Sequence, residues 1–324
     1  MMASVVGNVR HVADEYRRFI KSTYRLADDE LRQQFEAHVD GADVLVKGPY
    51  VTLAREFETS ATLEALLTEG LAPESLARFK WAFGDRPLYA HQERAFRAVA
   101  GGRNVVVTTG TGSGKTESFL LPVLAEVLRA RAAGVTGTKA ILLYPMNALA
   151  NDQLQRMRKL VAGSGVPITF ALYTGESEDV AATLGDPLQG HELTKREDIR
   201  RNPPDIILTN YKQLEFLLVR KADRALFSDA LRCLVLDELH SYRGALATEL
   251  ACLIRRLKAR CGVGRNAVRC IGTSATVSQD AGGDAALASF ATTLFDAPFQ
   301  PADIVGERYA HHEMDGATYS PKSS

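Results

Sequence analysis

In the stretch TGTGSGKT, residues 109–116, alternating glycines lead into a lysine and a hydroxyl residue that open an apolar, helix-periodic run. Glycines let backbone N–H groups come close to an anion, and a helix N-terminus adds partial positive charge at the same place. Thr109, Gly110, Thr111, Gly112, Ser113, Gly114, Lys115 and Thr116 are therefore read as a phosphate cradle. Lys115 would reach the terminal phosphates, and the Thr116 hydroxyl would meet the magnesium ion that bridges them. Threonine stands at 109, where the strict pattern has glycine, so the match is to the variant ending GxGKT. Such a cradle needs a carboxylate at the end of a neighbouring strand, and CLVLDELH, residues 233–240, supplies one. Asp237 is expected to position magnesium, and Glu238 to act as the general base that polarises the attacking water.

Those groups must be held by strands and helices, and the chain reads as an alternation of the two. From Asn104 onward the apolar runs NVVVTT, KAILLYP, PITFALY, DIILTN, LRCLVLDE and VRCIGTSAT are interleaved with amphipathic helical stretches. Strands that are apolar nearly throughout and separated by helices predict an α/β fold, a central parallel sheet covered by helices on both faces. Ligands of such folds gather at the carboxyl ends of the strands. A polar motif follows each of the six runs: the phosphate loop, YPMNALANDQ, YTGE, TNY, DELH and TSAT.

Taken in this order, the motifs resemble superfamily 2 helicases of the DExH type over roughly residues 86 to 300. The resemblance implies a RecA-like domain that binds ATP with Mg2+. It makes LYAHQ an adenine-reading motif centred on Gln92, and YPMNALANDQ and LTNY motifs that hold one nucleic-acid strand. Pro145, Asn147, Thr209 and Asn210 stand at strand ends, where amide, hydroxyl and helix N-terminal groups can grip phosphates without a basic patch. TSAT resembles the motif linking hydrolysis to domain movement, and His240, Ser274 and Thr276 are read either as a polar relay between the two sites or as a satisfied hydrogen-bond network. The segments DELHSYRGALATELACLIRRLK and KGPYVTLAREFE narrow the resemblance to the Lhr-like and MrfA-like helicases, which act on DNA. In the helix from Gly244, Leu246, Leu250, Leu253, Ile254 and Leu257 form one apolar stripe, and Arg255, Arg256, Lys258 and Arg260 are assigned to a solvated basic face.

The 324 residues carry 39 Lys plus Arg and 39 Asp plus Glu, so contacts to nucleic acid have to be local. No apolar run approaches the roughly 18 residues of a membrane span, and a soluble, cytoplasmic protein without a membrane partner is expected. Cys233, Cys252, Cys261 and Cys270 are too far apart for a metal knuckle and are expected to be structural thiols. The expected organisation is a mainly helical accessory region over 1–85, the ATP-binding domain over 86–300 and a tail over 301–324. No QxxGRxxR-like segment follows TSAT, so the arginines of a second RecA-like lobe are expected from elsewhere, in cis or in trans. Three functions fit these residues: the first half of an ATP-driven DNA motor acting on a single strand or tailed duplex, a nucleotide-dependent DNA-binding switch that does not unwind, and a non-motor phosphotransferase.

Overall fold

Short runs of valine, isoleucine and leucine, buried on both faces, build one seven-stranded sheet: β1 Val105–Thr108, β2 Ala140–Tyr144, β3 Phe170–Leu172, β4 Ile206–Asn210, β5 Cys233–Leu236, β6 Arg269–Ser274 and β7 Ile304–Gly306. In this computed structural model, residues 5–41, 44–45, 56–79, 86–110, 112–175, 185–275 and 282–310 are described. The strand order is β3-β4-β2-β5-β6-β1-β7, and every pairing is parallel. Strands buried on both faces need a helical layer on each, and the chain supplies them by helical crossovers.

Among the helices are α1 Val5–Thr23, α2 Asp29–Asp40, α3 Leu63–Thr68, α4 Ala90–Ala100, α5 Lys115–Ala132, α6 Asn147–Ala162, α7 Arg196–Arg201, α8 Tyr211–Val219, α9 Ala245–Cys261 and α10 Gly283–Phe295. Val105, Val107, Leu142 and Val235 meet Phe96, Phe119, Leu124 and Leu154 of α4, α5 and α6 on one face. Val106, Ile141, Leu234 and Leu236 meet Leu214, Leu250, Ile254 and Phe295 of α8, α9 and α10 on the other. The expected parallel sheet with two helical layers is the observed fold.

The boundaries differ from those expected. The chain divides into Met1–Arg55 and Glu56–Ser324. In the first unit Asp28 caps α2 by accepting from the amides of Glu30 and Leu31, and Lys21 pairs with Asp40. Residues 56–79 join the sheet domain, because Leu63, Leu66, Leu76 and Phe79 are buried in the core on the α5 side. KGPYVTL, residues 47–53, lies outside the described residues. At the other end, Ile304–Gly306 is no tail but an edge strand beside β1, with Val106 opposite Ile304 and Thr108 opposite Gly306. Three residues carry no alternation that a sequence pattern can register.

Within the stripe of α9, Leu250, Leu253, Ile254 and Leu257 are buried as expected. Lys258 is not on the solvated face: it is 4% exposed, and its ammonium donates to the carbonyls of Phe295 at 2.8 Å, Asp296 at 2.9 Å and Arg265 at 3.2 Å. It closes the C-terminus of α10, where orphan carbonyls favour a cation. Cys233, Cys261 and Cys270 are buried and Cys252 is exposed, all as free thiols.

Candidate active site

The phosphate loop turns from β1 into α5 through Gly114, whose φ of 72° is left-handed. The left-handed backbone favours glycine there, and a Cβ at Gly114 would come within 2.4 Å of the Gln92 side-chain amide nitrogen, so that Gln92 would have to move. Neighbouring groups fix the loop from three sides. Gln92 Nε2 donates to the Gly114 carbonyl at 3.0 Å while its Oε1 accepts from the Tyr89 amide at 3.0 Å. His91 Nε2 donates to the Ser113 carbonyl at 2.8 Å, and burial, only partly offset by this bond, holds the imidazole pKa below its ordinary value. The Gly110 amide donates to Glu307 Oε2 at 2.9 Å, and the Tyr309 hydroxyl to Glu307 Oε1 at 2.6 Å.

The Glu307 contact comes from just beyond β7 and was not legible in the sequence, nearly two hundred residues from the loop. Tyr309 stacks on Phe57 with centroids 5.4 Å apart. The segment around Phe57 pairs with Tyr309 on one side, and Thr59 pairs with Tyr89 on the other. From the expected accessory region, Thr59 thus stands beside the turn that carries Gln92. Thr59, Arg86, Leu88 and Tyr89 line the same cleft of about 720 Å³ as Lys115, Thr116, Asp237 and Glu238.

At the other end of the cleft, β5 delivers the carboxylates. Asp237 continues the strand, its amide donating to the Leu143 carbonyl at 2.9 Å. Glu238 then turns into the left-handed region at φ 55°, a conformation that costs a non-glycine residue roughly 1–3 kcal/mol. Its amide is held by Thr273 Oγ1 at 3.1 Å, and the Thr273 hydroxyl donates to Asp237 Oδ1. Thr273 thereby orders both acids. The sequence pattern points instead to Ser274 and Thr276 of the same motif, because a threonine inside a strand looks like ordinary β propensity.

Lys115 Nζ lies 3.4 Å from Glu238 Oε1, which brings the cradle and the proposed base together. Asp237 is 7% exposed. Burial raises its pKa above the usual carboxylate value, against the opposing Thr273 hydrogen bond and the Lys115 charge. Thr116 and Asp237 both face the cleft as oxygen donors, and the described residues contain no group of three or more acidic, histidine or cysteine ligands. That donor set fits magnesium, which typically takes one or two protein oxygens and completes its shell with phosphate and water.

The remaining candidates fall into two groups. Asn210 Nδ2 donates to Asn147 Oδ1 at 2.6 Å, and Asn210 Oδ1 caps α8 by accepting from the Gln213 amide at 2.7 Å. This bond sets the N-termini of α6 and α8 side by side next to Pro145. Thr209 departs from its expected part: it is 0% exposed, and its hydroxyl donates to the Tyr173 carbonyl at 2.6 Å. Alternation along β4 turns Thr209 inward where Asn210 is partly open, so it supports the edge without presenting a group there.

His240 Nδ1 lies 3.2 Å from both Glu238 Oε2 and the Ala275 amide. It can accept from the amide or donate to the carboxylate, and cannot do both. The Ser274 carbonyl accepts from the Thr109 amide at 3.3 Å, joining the TSAT turn to the phosphate loop. Thr111 and Thr276 lie outside the described residues.

The sequence profile of the DEAD/DEAH box helicase family matches residues 89–282. The Druantia protein DruE of Escherichia coli (strain UMEA 4076-1) is 28% identical over 83% of this chain and 20% of its own length. The uncharacterized ATP-dependent helicase YprA of Bacillus subtilis (strain 168) is 32% identical over 64% of this chain and 26% of its own length. This chain therefore spans about a fifth to a quarter of those relatives. Among solved structures, the DUF1998 helicase MrfA bound to DNA matches with a TM-score of 0.60 at 27% identity, over 78% of this chain and 31% of that one. Mss116 bound to ssRNA and AMP-PNP has a TM-score of 0.60 at 16% identity over 74% of this chain and 45% of its own, and shares the fold. The profile match runs from the turn ahead of Gln92 to beyond β6, more than half of the chain, and on it the chain belongs to the DEAD/DEAH box helicase family.

Proposed function

We propose that this chain is the first RecA-like lobe of an ATP-dependent DNA helicase or translocase, which binds Mg–ATP in the 720 Å³ cleft and a DNA strand along the Asn147–Asn210 edge. The observation that carries this is the meeting of Lys115, Thr116, Asp237 and Glu238 in that one cleft. Lys115 would neutralise the terminal phosphates beside the loop amides, while Gln92, with one N–H and one lone pair uncommitted to Tyr89 and Gly114, would read the base edge. Thr116 and Asp237 would hold magnesium. When bound, the ion supplies Lewis-acid polarisation of the phosphates. Glu238, released from Lys115, would take the proton of the attacking water. DNA as the strand is supported by the DNA-bound structure of MrfA, a helicase of the same kind.

Hydrolysis at a motor's rate would need a second lobe. Arg86 and Arg156 line the cleft among the described residues, and Arg156 pairs with Glu117 at 3.7 Å. Arg243 donates to the His240 carbonyl at 2.9 Å and lines a different depression with Tyr242 and Phe290. Calorimetric titration of Mg–ATP into the chain tests the cleft: binding should be measurable in wild type and abolished by Lys115→Ala with the thermal midpoint kept. Unchanged affinity in the variant would remove the assignment.

A further inference from the structure

Register along the carboxyl edge of the sheet places four side chains in a transverse row. Tyr144 of β2 pairs with Asn210 of β4. On its other side Leu143 pairs with Leu236, and the Asp237 amide donates to the Leu143 carbonyl, so Asp237 is the next neighbour of Tyr144 across the sheet. Leu236 pairs with Gly272, and the following residues, Asp237 and Thr273, are joined directly through the threonine hydroxyl. Partners in parallel register share a face. Asn210, Tyr144, Asp237 and Thr273 therefore lie side by side over β4, β2, β5 and β6.

The two ends of this row belong to different sites. Asn210 is bonded to Asn147 at the strand-gripping edge. Asp237 and Thr273 order the acids of the nucleotide cleft. Between them Tyr144 is 0% exposed, and among the described residues its hydroxyl has no hydrogen-bond partner. A buried, unpaired hydroxyl is destabilising, and phenylalanine would fill the same space without it. Burial first, and then the negative charge of Asp237, raise the pKa of this hydroxyl well above the ordinary tyrosine value.

We propose that Tyr144 is the positioning residue that couples strand binding at Asn147 and Asn210 to the cleft, its hydroxyl donating to Asp237 once nucleotide and strand are both bound. The free protein then holds this hydroxyl unpaired and ready. Strand contact at Asn147, three residues beyond Tyr144, shifts the end of β2 and brings the donor to the carboxylate. This inference rests on the proposed assignment of the two sites.

The test is Tyr144→Phe in the full 324-residue chain, read by the affinity for fluorescent oligo-dT with and without Mg–AMPPNP and by the thermal midpoint. Wild type should bind DNA about five- to a hundredfold more tightly with the nucleotide, the usual span of site-to-site coupling. In the variant that factor should fall to near one, with nucleotide affinity alone within about twofold and the midpoint unchanged or raised. A variant that keeps the wild-type factor, or loses it together with a lowered midpoint, overturns the role of Tyr144 and leaves the two sites standing. A wild type that binds both ligands without coupling also overturns it, and one that binds neither overturns the site assignment and this inference together.

Discussion

Lys115 and Glu238 face each other at 3.4 Å across the cleft, so the cradle's cation and the proposed base neutralise one another in the free protein. On the proposed reading, nucleotide binding would divide the pair, turning Lys115 to phosphate and leaving Glu238 to water. Glu238→Gln keeps the shape and removes both the base and the competing charge. The variant is predicted to bind Mg–ATP at least as tightly as wild type in calorimetry while losing turnover by at least a hundredfold in a phosphate-release assay.

Asp237 predicts a trade of stability against function. Burial raises its folded pKa above the unfolded value, so the native state holds more protons than the unfolded one between those two values. Its contribution to stability therefore falls as pH rises through that window and stays unfavourable above it. Asp237→Asn should raise the thermal midpoint at pH 7 to 8, with the gain shrinking as pH falls toward the usual carboxylate range. The same variant should lose magnesium-dependent ATP binding. A midpoint lowered at neutral pH would show that the Thr273 contact outweighs burial.

Gln92 and Gly114 are predicted to fail in different ways. Gln92→Ala removes the group beside the base end and leaves the phosphates held, so competition titrations should show the preference for ATP over GTP relaxed toward equality. Gly114→Ala forces a Cβ into a left-handed residue and against the Gln92 amide. It should weaken both nucleotides alike and cost stability on the order of 1–2 kcal/mol.

The sheet, its helical layers and the order of the motifs were legible because each rests on local pattern: apolar strands, glycines before a helix, acids after a strand. What escaped was set by distance along the chain or by orientation at a single residue. Glu307 reaches Gly110 from beyond an edge strand of three residues. Thr273 differs from its neighbour Ser274 only in facing the acids, which strand register decides and composition does not. Lys258 looks like its exposed neighbours until the end of α10 is placed against it. Thr209 and Asn210 are adjacent, and alternation buries one of them.

Asn210 has two tasks that can be separated. Asn210→Asp keeps the oxygen that caps α8 and loses the donor to Asn147, whereas Asn210→Ala loses both. Both variants should weaken oligo-dT binding in anisotropy titrations without changing ATP affinity. Only the alanine variant should also lose about 1 kcal/mol of stability, the usual contribution of an N-cap. Wild-type DNA affinity in both would remove this edge from the strand path.

The half-motor account is tested most directly by the rate of ATP hydrolysis with single-stranded DNA, measured for the chain alone and with a second RecA-like lobe supplied in cis or in trans. Arginines brought across a phosphoryl-transfer site are typically worth about a thousandfold or more. The account predicts slow hydrolysis alone, a DNA-stimulated rise of about that size on adding the lobe, and loss of the rise in Glu238→Gln. Rapid, DNA-stimulated hydrolysis by residues 1–324 without any added protein would contradict it.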